Sequence, residues 1–401
     1  LVGSEMCIRD RSGRVFIHSY NSGVLSQMFS ISLNSRGGPY YNGTADTKFG
    51  YSLGINTVTS VVAIGAPYTS EVLRVNVGSM SYATPSGTNT SLQNQGTVKV
   101  SLIDFNNNIE VSSTVITTPS VTSNSLYGAS VSIGSSLMLV GAPGENLTGK
   151  VFAYNYAVSS SSVAITTASS ISLIQSTGNA LQSGDMFGAV IASSSDMSRI
   201  VVTAPYHHDT MFNRTGAVYV YSSIAVQEVQ VIASDDAMLP QPFSVGDGFA
   251  STVKITSDGS VMAIGSPSAY DVTKGVRSGI VDLFSWNGSR YVWTQRIHSP
   301  VITNDVSFGY DITFSEDGKS VVITSVGNSI SSTTTFDKYS SRNANSLTQY
   351  GSLYVNDQTS AMNAQSTTFD SSSAGFYSKI TNAGAAHTYM KVGNSWIYEQ
   401  E

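Results

Sequence analysis

An aromatic residue beside a glycine recurs along this chain, and this repeat constrains the fold more than any other sequence feature. Successive aromatic residues of the pair are 59 to 78 positions apart. Regular self-similarity indicates a repeat architecture, in which each unit is one small supersecondary structure that its neighbours cover. The copies are Phe49-Gly50, Tyr127-Gly128, Phe187-Gly188, Gly248-Phe249, Phe308-Gly309 and Gly375-Phe376.

Two further motifs follow the aromatic–glycine pair within each unit. The second motif closes an apolar run with a small residue and proline, except in the fifth unit, where the run ends at Ser325-Val326 without proline. Its copies are Gly65-Ala66-Pro67, Gly141-Ala142-Pro143, Thr203-Ala204-Pro205 and Gly265-Ser266-Pro267. The third motif is Gly, any residue, then Val or Leu: Gly96-Thr97-Val98, Gly149-Lys150-Val151, Gly216-Ala217-Val218, Gly279-Ile280-Val281 and Gly351-Ser352-Leu353, with an unpaired copy at Gly13-Arg14-Val15.

Each unit is predicted to contain four strands in the order strand, turn, strand, loop, strand, turn, strand. Val, Ile, Thr and Tyr favour strands, and no window shows a convincing helical period. Glycine beside the aromatic residue allows close backbone packing, and proline ends the second strand because it cannot donate to a ladder. Hairpin turns are predicted at Asp258-Gly259, at Asp317-Gly318, and at Asn287-Gly288 before a fourth strand at Tyr291–Ile297.

A four-stranded sheet of this kind cannot cover both of its faces alone, and a radial arrangement of sheets covers them. We therefore predict an all-β fold: a β-propeller of four-stranded blades forming a single domain over residues 13–401. The expected number of blades is seven, from a half-blade at about 13–33, five readable blades and a degenerate last blade that ends in strands at 384–401 around Trp396. Six blades is the alternative, if the half-blade is only a flanking hairpin.

The first twelve residues share no pattern with the rest of the chain. The segment 1–11 resembles translated adapter sequence. We therefore expect 1–12 to be an artefactual leader and exclude it from the predicted fold.

The motifs resemble the FG-GAP repeat family, which is related to the propeller of integrin α-subunits, and the resemblance covers nearly the whole chain. The best match is the unit over Gly248–Ile297. The resemblance implies a β-propeller in an extracellular protein, and integrin-like members often bind Ca²⁺ through alternating Asp and Asn in the first hairpin. That alternation is missing, so we expect a calcium-free variant. The corresponding turns are 55–58, 134–136, 194–196, 257–259 and 316–318.

Two groups of polar residues are candidate sites. The first is an aspartate two or three residues before the aromatic, at Asp46, Asp185, Asp247 and Asp305. Its recurrence favours a structural Asx turn over a ligand site. The second is His207-His208-Asp209, which we expect to be a solvent-exposed loop, because adjacent histidines in an extended segment point in opposite directions and nothing completes a zinc site.

Composition excludes several classes of function. The formal net charge is −6 and charged residues make up 11%, so there is no basic stripe for nucleic acid. No apolar run is long enough to span a membrane as a helix, and the one cysteine, Cys7, cannot form an intrachain disulfide. The turn around Asp258 is distantly similar to the Asp-box of sialidase propellers, but the closing Trp is missing. We therefore predict no catalytic residue, no cofactor and no metal.

The sequence contains sites for N-glycosylation, although chance alone would supply about as many in a chain this rich in Ser and Thr. If the protein is secreted, these asparagines are the expected glycan sites on loops. They are Asn42, Asn89, Asn146, Asn213 and Asn287.

The leading functional hypothesis is a secreted or cell-surface interaction module without catalytic activity. It would serve adhesion or an extracellular filament or coat, with a protein or glycan as ligand or with copies joined through a final strand such as 396–400. The competing class is an enzyme with its site at the central mouth of the propeller, or an accessory propeller of a larger extracellular enzyme.

Overall fold

The computed structural model describes residues 2–5, 14–21, 24–33, 47–69, 71–72, 91–92, 94–119, 122–166, 181–208, 213–222, 229–301, 306–326, 330–331, 379–380 and 385–400. This part of the chain is all-β, apart from one 3-10 turn at Glu145–Leu147. The strands are, in chain order, β1 Val2–Glu5, β2 Arg14–Asn21, β3 Val24–Ile31, β4 Ser52–Asn56, β5 Val61–Ala66, β6 Glu71–Val72, β7 Ser91–Leu92, β8 Thr97–Asp104, β9 Ile109–Thr117, β10 Ser130–Ile133, β11 Leu137–Ala142, β12 Lys150–Val158, β13 Val163–Thr166, β14 Ile191–Ser193, β15 Ile200–Ala204, β16 Ala217–Tyr221, β17 Gln230–Ala233, β18 Thr252–Ile255, β19 Val261–Ser266, β20 Tyr270–Asp271, β21 Val276–Arg277, β22 Ile280–Trp286, β23 Tyr291–His298, β24 Ile312–Phe314, β25 Ser320–Ser325, β26 Ile330–Ser331, β27 Lys379–Ile380, β28 Ala385–Val392 and β29 Ser395–Gln400.

The strands form one three-stranded sheet and five four-stranded sheets, all antiparallel and numbered here in chain order. Sheet 1 is β1-β2-β3, sheet 2 is β4-β5-β8-β9, sheet 3 is β10-β11-β12-β13, sheet 4 is β14-β15-β16-β17, sheet 5 is β18-β19-β22-β23 and sheet 6 is β24-β25-β28-β29. The predicted four-stranded unit is therefore confirmed. A two-stranded ribbon between the second and third strands of sheets 2, 5 and 6 explains why the third motif follows at a variable distance.

Five apolar clusters lie between consecutive sheets, one for each pair from sheets 1 and 2 to sheets 5 and 6. The central strands supply both neighbouring clusters. Along β5, Val61 and Ala63 pack toward sheet 3, whereas Val62 and Ile64 pack toward sheet 1. Because side chains alternate between the two faces of a strand, a strand that is apolar throughout must have both faces covered. Face-to-face packing of successive sheets in chain order is how the blades of a β-propeller pack.

The three motifs are the points where one sheet meets the next. A Cβ on Gly65, in the second motif of sheet 2, would lie 2.0 Å from the carbonyl oxygen of Gly128, in the first motif that leads into sheet 3. The hydroxyl of Ser52 donates to the same oxygen at 2.8 Å. The N–H of Tyr127 donates to the carbonyl of Gln95, directly before the third motif, at 2.9 Å. Glycine is therefore required by contact between sheets.

The same contacts recur in later sheets with one variation in the sequence. Between sheets 3 and 4, Gly141 approaches the carbonyl of Gly188, and the N–H of Phe187 donates to the carbonyl of Thr148 at 2.9 Å. Before sheet 5, the position of the motif glycine is held by Ala250, which has φ +61°. The copy therefore reads Phe249-Ala250, and Gly248 only precedes it.

The predicted last blade is wrong. β28 pairs with β25 and β29 pairs with β28, so the C-terminal strands complete sheet 6. The third strand of this unit was expected at Gly351-Ser352-Leu353, which lies outside the described residues, and β28 occupies that place in the sheet. A strand finds its partner through contacts distant in the chain, and the motif spacing carries no information on them. With this correction, the described residues form six sheets.

The half-blade predicted at about 13–33 contains the strands β2 and β3, and a third strand joins them. β1 pairs with the start of β2, from Val2 opposite Ile17 to Glu5 opposite Arg14. The structure thus includes residues 2–5 in sheet 1, although the sequence analysis excludes them from the fold.

Glutamine side chains tie the outer strands of neighbouring sheets together. Gln230 in β17 donates to the carbonyl of Tyr291 and accepts from its N–H, at 2.9 and 2.8 Å. Gln295 in β23 makes the same pair of bonds with Trp396 in β29, also at 2.9 and 2.8 Å. These bonds occupy the backbone groups of Trp396 on the outer edge of sheet 6, where the addition of another strand was predicted.

Candidate functional site

All three motifs lie on one side of the stack of sheets. In an antiparallel four-stranded sheet, the start of the first strand, the end of the second, the start of the third and the end of the fourth share one edge. We call this side the motif face, and the opposite side, which carries the turns of the hairpins, the hairpin face. Loops join the strands on the motif face, and loops are where binding and catalytic residues concentrate.

A buried carboxylate with two histidines lies on the motif face of sheet 4. The side chain of Asp185 is fully buried. Its Oδ2 lies 3.0 Å from Nδ1 of His207, and its Oδ1 lies 2.6 Å from Nδ1 of His208. The N–H of Gln182 also donates to Oδ2, at 2.9 Å. Burial raises the pKa of Asp185, but the hydrogen bonds from His207, Gln182 and His208 together bring it below its ordinary value.

The expectation of a solvent-exposed loop at His207-His208 is therefore wrong. His207 is buried, and both histidines turn toward the same carboxylate. The argument that adjacent side chains point in opposite directions holds only for a regular strand. β15 ends at Ala204, and the loop that follows it brings both histidines to Asp185. Asp209 lies outside the described residues. Arg214 Nε donates to Nε2 of His208 at 3.3 Å, so this histidine already has a partner on each ring nitrogen.

Comparable contacts tie the segment entering other sheets to the loop between the second and third strands. The hydroxyl of Thr122 donates to the buried carboxylate of Glu145 at 2.7 Å in sheet 3. Arg277 Nη1 donates to Oδ1 of Asp247 at 3.0 Å in sheet 5. We call these two contacts, together with that of Asp185, the entry latches. Their position repeats but their chemistry differs, which is why the sequence pattern did not reveal them.

The recurring aspartate is confirmed as a loop-shaping residue at two of its four positions. Asp247 Oδ2 accepts from the N–H of Ser244 at 2.8 Å, three residues back, as Asp185 does from Gln182. The turn therefore lies before the aspartate and not after it. Asp46 and Asp305 lie outside the described residues.

The hairpin face carries a repeated hydrogen-bond network in sheets 4, 5 and 6. In sheet 5, the Thr256 hydroxyl and the Ser260 N–H donate to Oδ1 of Asp258, and the Val261 N–H donates to the Thr256 hydroxyl. Ser194 with Asp196, and Ser315 with Asp317, repeat it. These hydrogen bonds outweigh burial and lower the pKa of Asp258. Within the described residues, no three His, Cys, Asp or Glu side chains are grouped to hold a metal ion. The absence of calcium stays a prediction.

Tyrosines are displayed on the motif face where the first strands of two sheets begin. Tyr51 directly precedes β4 and is 56% exposed, and Tyr310 lies two positions before β24 and is 61% exposed. The rings of Tyr51 and Tyr68 meet edge to face with centroids 6.3 Å apart. Nζ of Lys48 lies 4.3 Å from the centroid of Tyr68. We call Lys48, Tyr51, Tyr68 and Tyr310 the tyrosine cluster.

The phenol of Tyr310 in the last four-stranded sheet acts electrostatically on Tyr51 in the first four-stranded sheet. The pKa of Tyr51 is raised by partial burial and by the nearby phenols of Tyr68 and Tyr310. Tyr51 belongs to sheet 2 and Tyr310 belongs to sheet 6. The two tyrosines are 259 positions apart in the chain. Sequence reasoning missed this cluster, but a signal was present, because the residue after the motif glycine is tyrosine in only these two units. In the other sheets it is Ala129, Ala189 and Ser251.

Three of the predicted glycosylation sites lie in the described part of the chain, and all three are exposed on loops: Asn146, Asn213 and Asn287. Asn42 and Asn89 lie outside it. Among the described residues, no helix has the length and apolar character to cross a membrane.

Comparisons with known proteins do not assign this chain to a family. No family model matches the chain, and no curated protein matches it. The periplasmic gluconolactonase PpgL of Pseudomonas aeruginosa is similar in structure, with a TM-score of 0.42, 12% identity, and coverage of 78% of this chain and 74% of that one. A complex of KlAtg21 with the coiled coil of AgAtg16 is similar with a TM-score of 0.41, 11% identity, and coverage of 82% of this chain and 79% of that one. Chaetomium thermophilum Sqt1 is similar with a TM-score of 0.41, 13% identity, and coverage of 82% of this chain and 64% of that one. These scores are too low to carry an argument about this chain.

Proposed function

We propose that this chain is a non-catalytic ligand-binding module that acts outside the cell or on its surface, with the motif face as its binding surface. The resemblance to FG-GAP repeats and the low content of charged residues support the extracellular setting. The proposed ligand is a protein or a glycan. Calcium and other cofactors have no part in the proposal.

One observation carries the proposal: on the motif face the buried carboxylate and histidines of sheet 4 are held by partners, whereas the tyrosines are displayed. Both carboxylate oxygens of Asp185 are occupied, and Arg214 occupies the second nitrogen of His208. A general base has to present a free position to its substrate. Tyr51 is exposed, and its pKa is raised further above the ordinary tyrosine value, so the phenol is protonated at neutral pH. Exposed tyrosine is instead a frequent binding residue, because it combines an apolar ring with a polar tip.

We further propose that the sheets close into one propeller of six blades. Sheet 1 would then lie between sheets 2 and 6 and complete the ring, and the tyrosine cluster would surround the central mouth. The electrostatic effect of the Tyr310 phenol on the pKa of Tyr51 supports this closure, because such an effect falls off with distance. Ser320, Val322 and Thr324 of β25 point away from sheet 5 and are half-buried. This burial is expected of a face on which another sheet can pack.

The experiment is a pair of screens on the purified chain. We expect binding in a screen of immobilised glycans and extracellular proteins, and no turnover with a panel of lactone, ester, peptide and glycoside substrates. Turnover that single substitutions on the motif face abolish would contradict the proposal and support the hydrolase alternative. Failure to bind in every arm of the first screen would also contradict it. Glycans on Asn146, Asn213 or Asn287 of the native protein are the expected sign of secretion.

A further inference from the structure

The entry latch of sheet 4 holds one imidazole ring between an anion and a cation. Nδ1 of His208 lies 2.6 Å from the buried carboxylate of Asp185, and Nε of Arg214 lies 3.3 Å from Nε2 of the same ring. A guanidinium can only donate, so Nε2 has to be an acceptor, and the carboxylate accepts from an N–H on Nδ1. Both contacts therefore require the neutral ring with its proton on Nδ1.

Protonation of His208 is incompatible with this arrangement. The added proton would lie on Nε2 and face the N–H of Arg214, so that two donors meet and the hydrogen bond is lost. The imidazolium would also place a second positive charge beside the guanidinium. Like charges repel strongly where burial limits screening, and the side chain of His208 is only 12% exposed. Arg214 therefore has to leave its place before the ring can take up a proton.

The other groups around the latch offset little of this repulsion. His207 lies 3.0 Å from the second carboxylate oxygen of Asp185 and can itself gain a positive charge. Tyr219 of β16 contributes a neutral hydroxyl, 3.3 Å from Nδ1 of His207. The neighbouring loop of sheet 3 carries Glu145, whose carboxylate accepts from Thr122. Asp185 is thus the carboxylate that both histidines contact, and its lowered pKa keeps it ionised in mild acid.

Arg214 joins the third motif of sheet 4 to the segment that enters this sheet. Its guanidinium occupies the space beside Gly184, where an added Cβ would lie 2.9 Å from Nη2. The N–H groups of Thr215 and Gly216 both donate to the carbonyl oxygen of His207, at 3.0 Å. These two residues directly follow Arg214, so displacement of its side chain acts on backbone hydrogen bonds of the motif face.

Sheet 5 contains a histidine–aspartate pair without the cation. Nδ1 of His298 lies 2.7 Å from Oδ2 of the buried Asp271. The side chain of His298 is 31% exposed, and its Nε2 has no hydrogen-bond partner among the described residues. A proton can therefore be added at Nε2, and it converts the contact into a stronger, charge-assisted one. Acid should thus strengthen the contact in sheet 5 and weaken the latch in sheet 4.

We propose that His208, set between Asp185 and Arg214, is an acid-sensitive switch that opens the entry latch of sheet 4 below neutral pH. Imidazole is the side chain that ordinarily changes its charge between about pH 5 and pH 8. The neutral ring closes the latch, and the protonated ring expels Arg214 from its place beside Gly184. This inference goes beyond the proposed function, because it holds whatever ligand the motif face binds.

The test is hydrogen–deuterium exchange of the full chain at pH 7.5 and pH 5.5, with rates corrected for the intrinsic effect of pH. Peptides that contain Thr215 and Gly216 report on the latch. We expect their corrected exchange to be about fivefold faster, or more, at pH 5.5, because local opening sets the exchange of protected amides. His208→Gln keeps a donor for Asp185 and an acceptor for Arg214 but cannot take up a proton. Its corrected exchange should be the same at both pH values.

The matched control is His298→Gln, which changes the histidine of sheet 5 and should leave the pH response of the latch peptides as it is in the parent chain. Equal exchange of the parent chain at both pH values would overturn the inference. A pH response that His208→Gln leaves intact would also overturn it and assign the response to His207.

Arg214→Gln keeps the inference testable if His208→Gln does not fold, which circular dichroism shows. Without the cation, His208 can take up a proton in place, so the pH response should shrink; an undiminished response would contradict the assigned role of Arg214. None of these measurements involves a ligand, so their failure leaves the proposed function standing, and failure of the binding screens leaves the switch standing.

Discussion

At the scale of single residues, the chain stabilises a buried carboxylate with two histidines. Asp185 cannot be left unpaired, because an isolated buried charge is costly. Asp185→Asn keeps the shape of the side chain but replaces one acceptor oxygen with a donor, so that one Nδ1–H loses its acceptor. We expect a loss of about 1 to 3 kcal/mol in the free energy of unfolding, measured by urea denaturation at pH 7.

The control for this substitution is Asp235→Asn, which changes an exposed carboxylate. Its effect should stay within about 0.5 kcal/mol, as is usual for surface positions. Equal effects of the two substitutions would show that Asp185 is not a latch.

The pH dependence of the latch follows from the lowered pKa of Asp185. In the unfolded chain the carboxyl has its ordinary, higher pKa, so its contribution to stability is complete above that value and is lost as pH falls through the folded pKa. Acid unfolding curves between pH 7 and pH 3 should therefore be shallower for Asp185→Asn than for the parent chain. A parallel pair of curves would contradict this assignment.

Sequence could locate Asp185 but not its partners. The recurrence of aspartate before the aromatic correctly predicted a loop-shaping residue at Asp185 and Asp247. The two histidines lie some twenty positions further on, and only the path of the loop after β15 brings them to the carboxylate. Local pattern carries no information about that path.

At the scale of elements, the hairpin turns of sheets 4 to 6 each contain the same network of short-range hydrogen bonds. Thr256→Val keeps the volume of the side chain and removes the hydroxyl that accepts from the Val261 N–H at 3.0 Å. That N–H is buried, so we expect a loss of about 1 to 3 kcal/mol in unfolding free energy. Ser315→Ala, at the more exposed turn of sheet 6, should cost less, since water can replace the hydroxyl there. Urea denaturation of both variants tests the order.

The motif glycines act between sheets, and Gly65→Ala tests this role. The new methyl group would lie 2.0 Å from the Gly128 carbonyl oxygen and 2.3 Å from the Ser52 hydroxyl. Backbone cannot move aside cheaply, so we expect a loss of about 3 kcal/mol or more in unfolding free energy.

The matched control is Gly54→Ala in the neighbouring strand of the same sheet. Its methyl group would meet side-chain methyls of Ile133 and Val131 at 3.1 and 3.3 Å, which can shift slightly. We expect a change within about 1 kcal/mol. Equal losses in the two variants, measured by thermal or urea unfolding, would contradict the assigned role of Gly65.

The elements that the sequence predicted correctly are those that depend only on residues close together in the chain. The turns at Asp258-Gly259, Asp317-Gly318 and Asn287-Gly288 are each followed by the predicted strand, because turn chemistry is local. The third strand of sheet 6 was misplaced, because β28 joins β25 across some sixty residues of chain. Ala250 shows the same limit, since the motif glycine of this unit was assigned to Gly248, whereas Ala250 holds that position in the structure with a positive φ.

At the scale of the whole molecule, the stack of sheets is held by clusters that each belong to two sheets at once. No sheet has a core of its own, so the sheets depend on one another for stability, as in other repeat proteins. The repeat in the sequence predicts this arrangement. It does not fix the number of blades, because the outermost strands of a ring can come from either end of the chain.

The central claim is that the stack curves into a ring, and spin-label distances test it most directly. With the only native cysteine changed by Cys7→Ser, Tyr51→Cys is paired in one variant with Tyr310→Cys and in another with Ala189→Cys. In a ring of six, the label on sheet 2 is two steps from sheet 4 and two steps from sheet 6. In an open stack with steps of about 10 Å, the same labels are about 20 and about 40 Å apart. We predict that the distance between positions 51 and 310 is no longer than that between 51 and 189; a value about twice as long would contradict the ring.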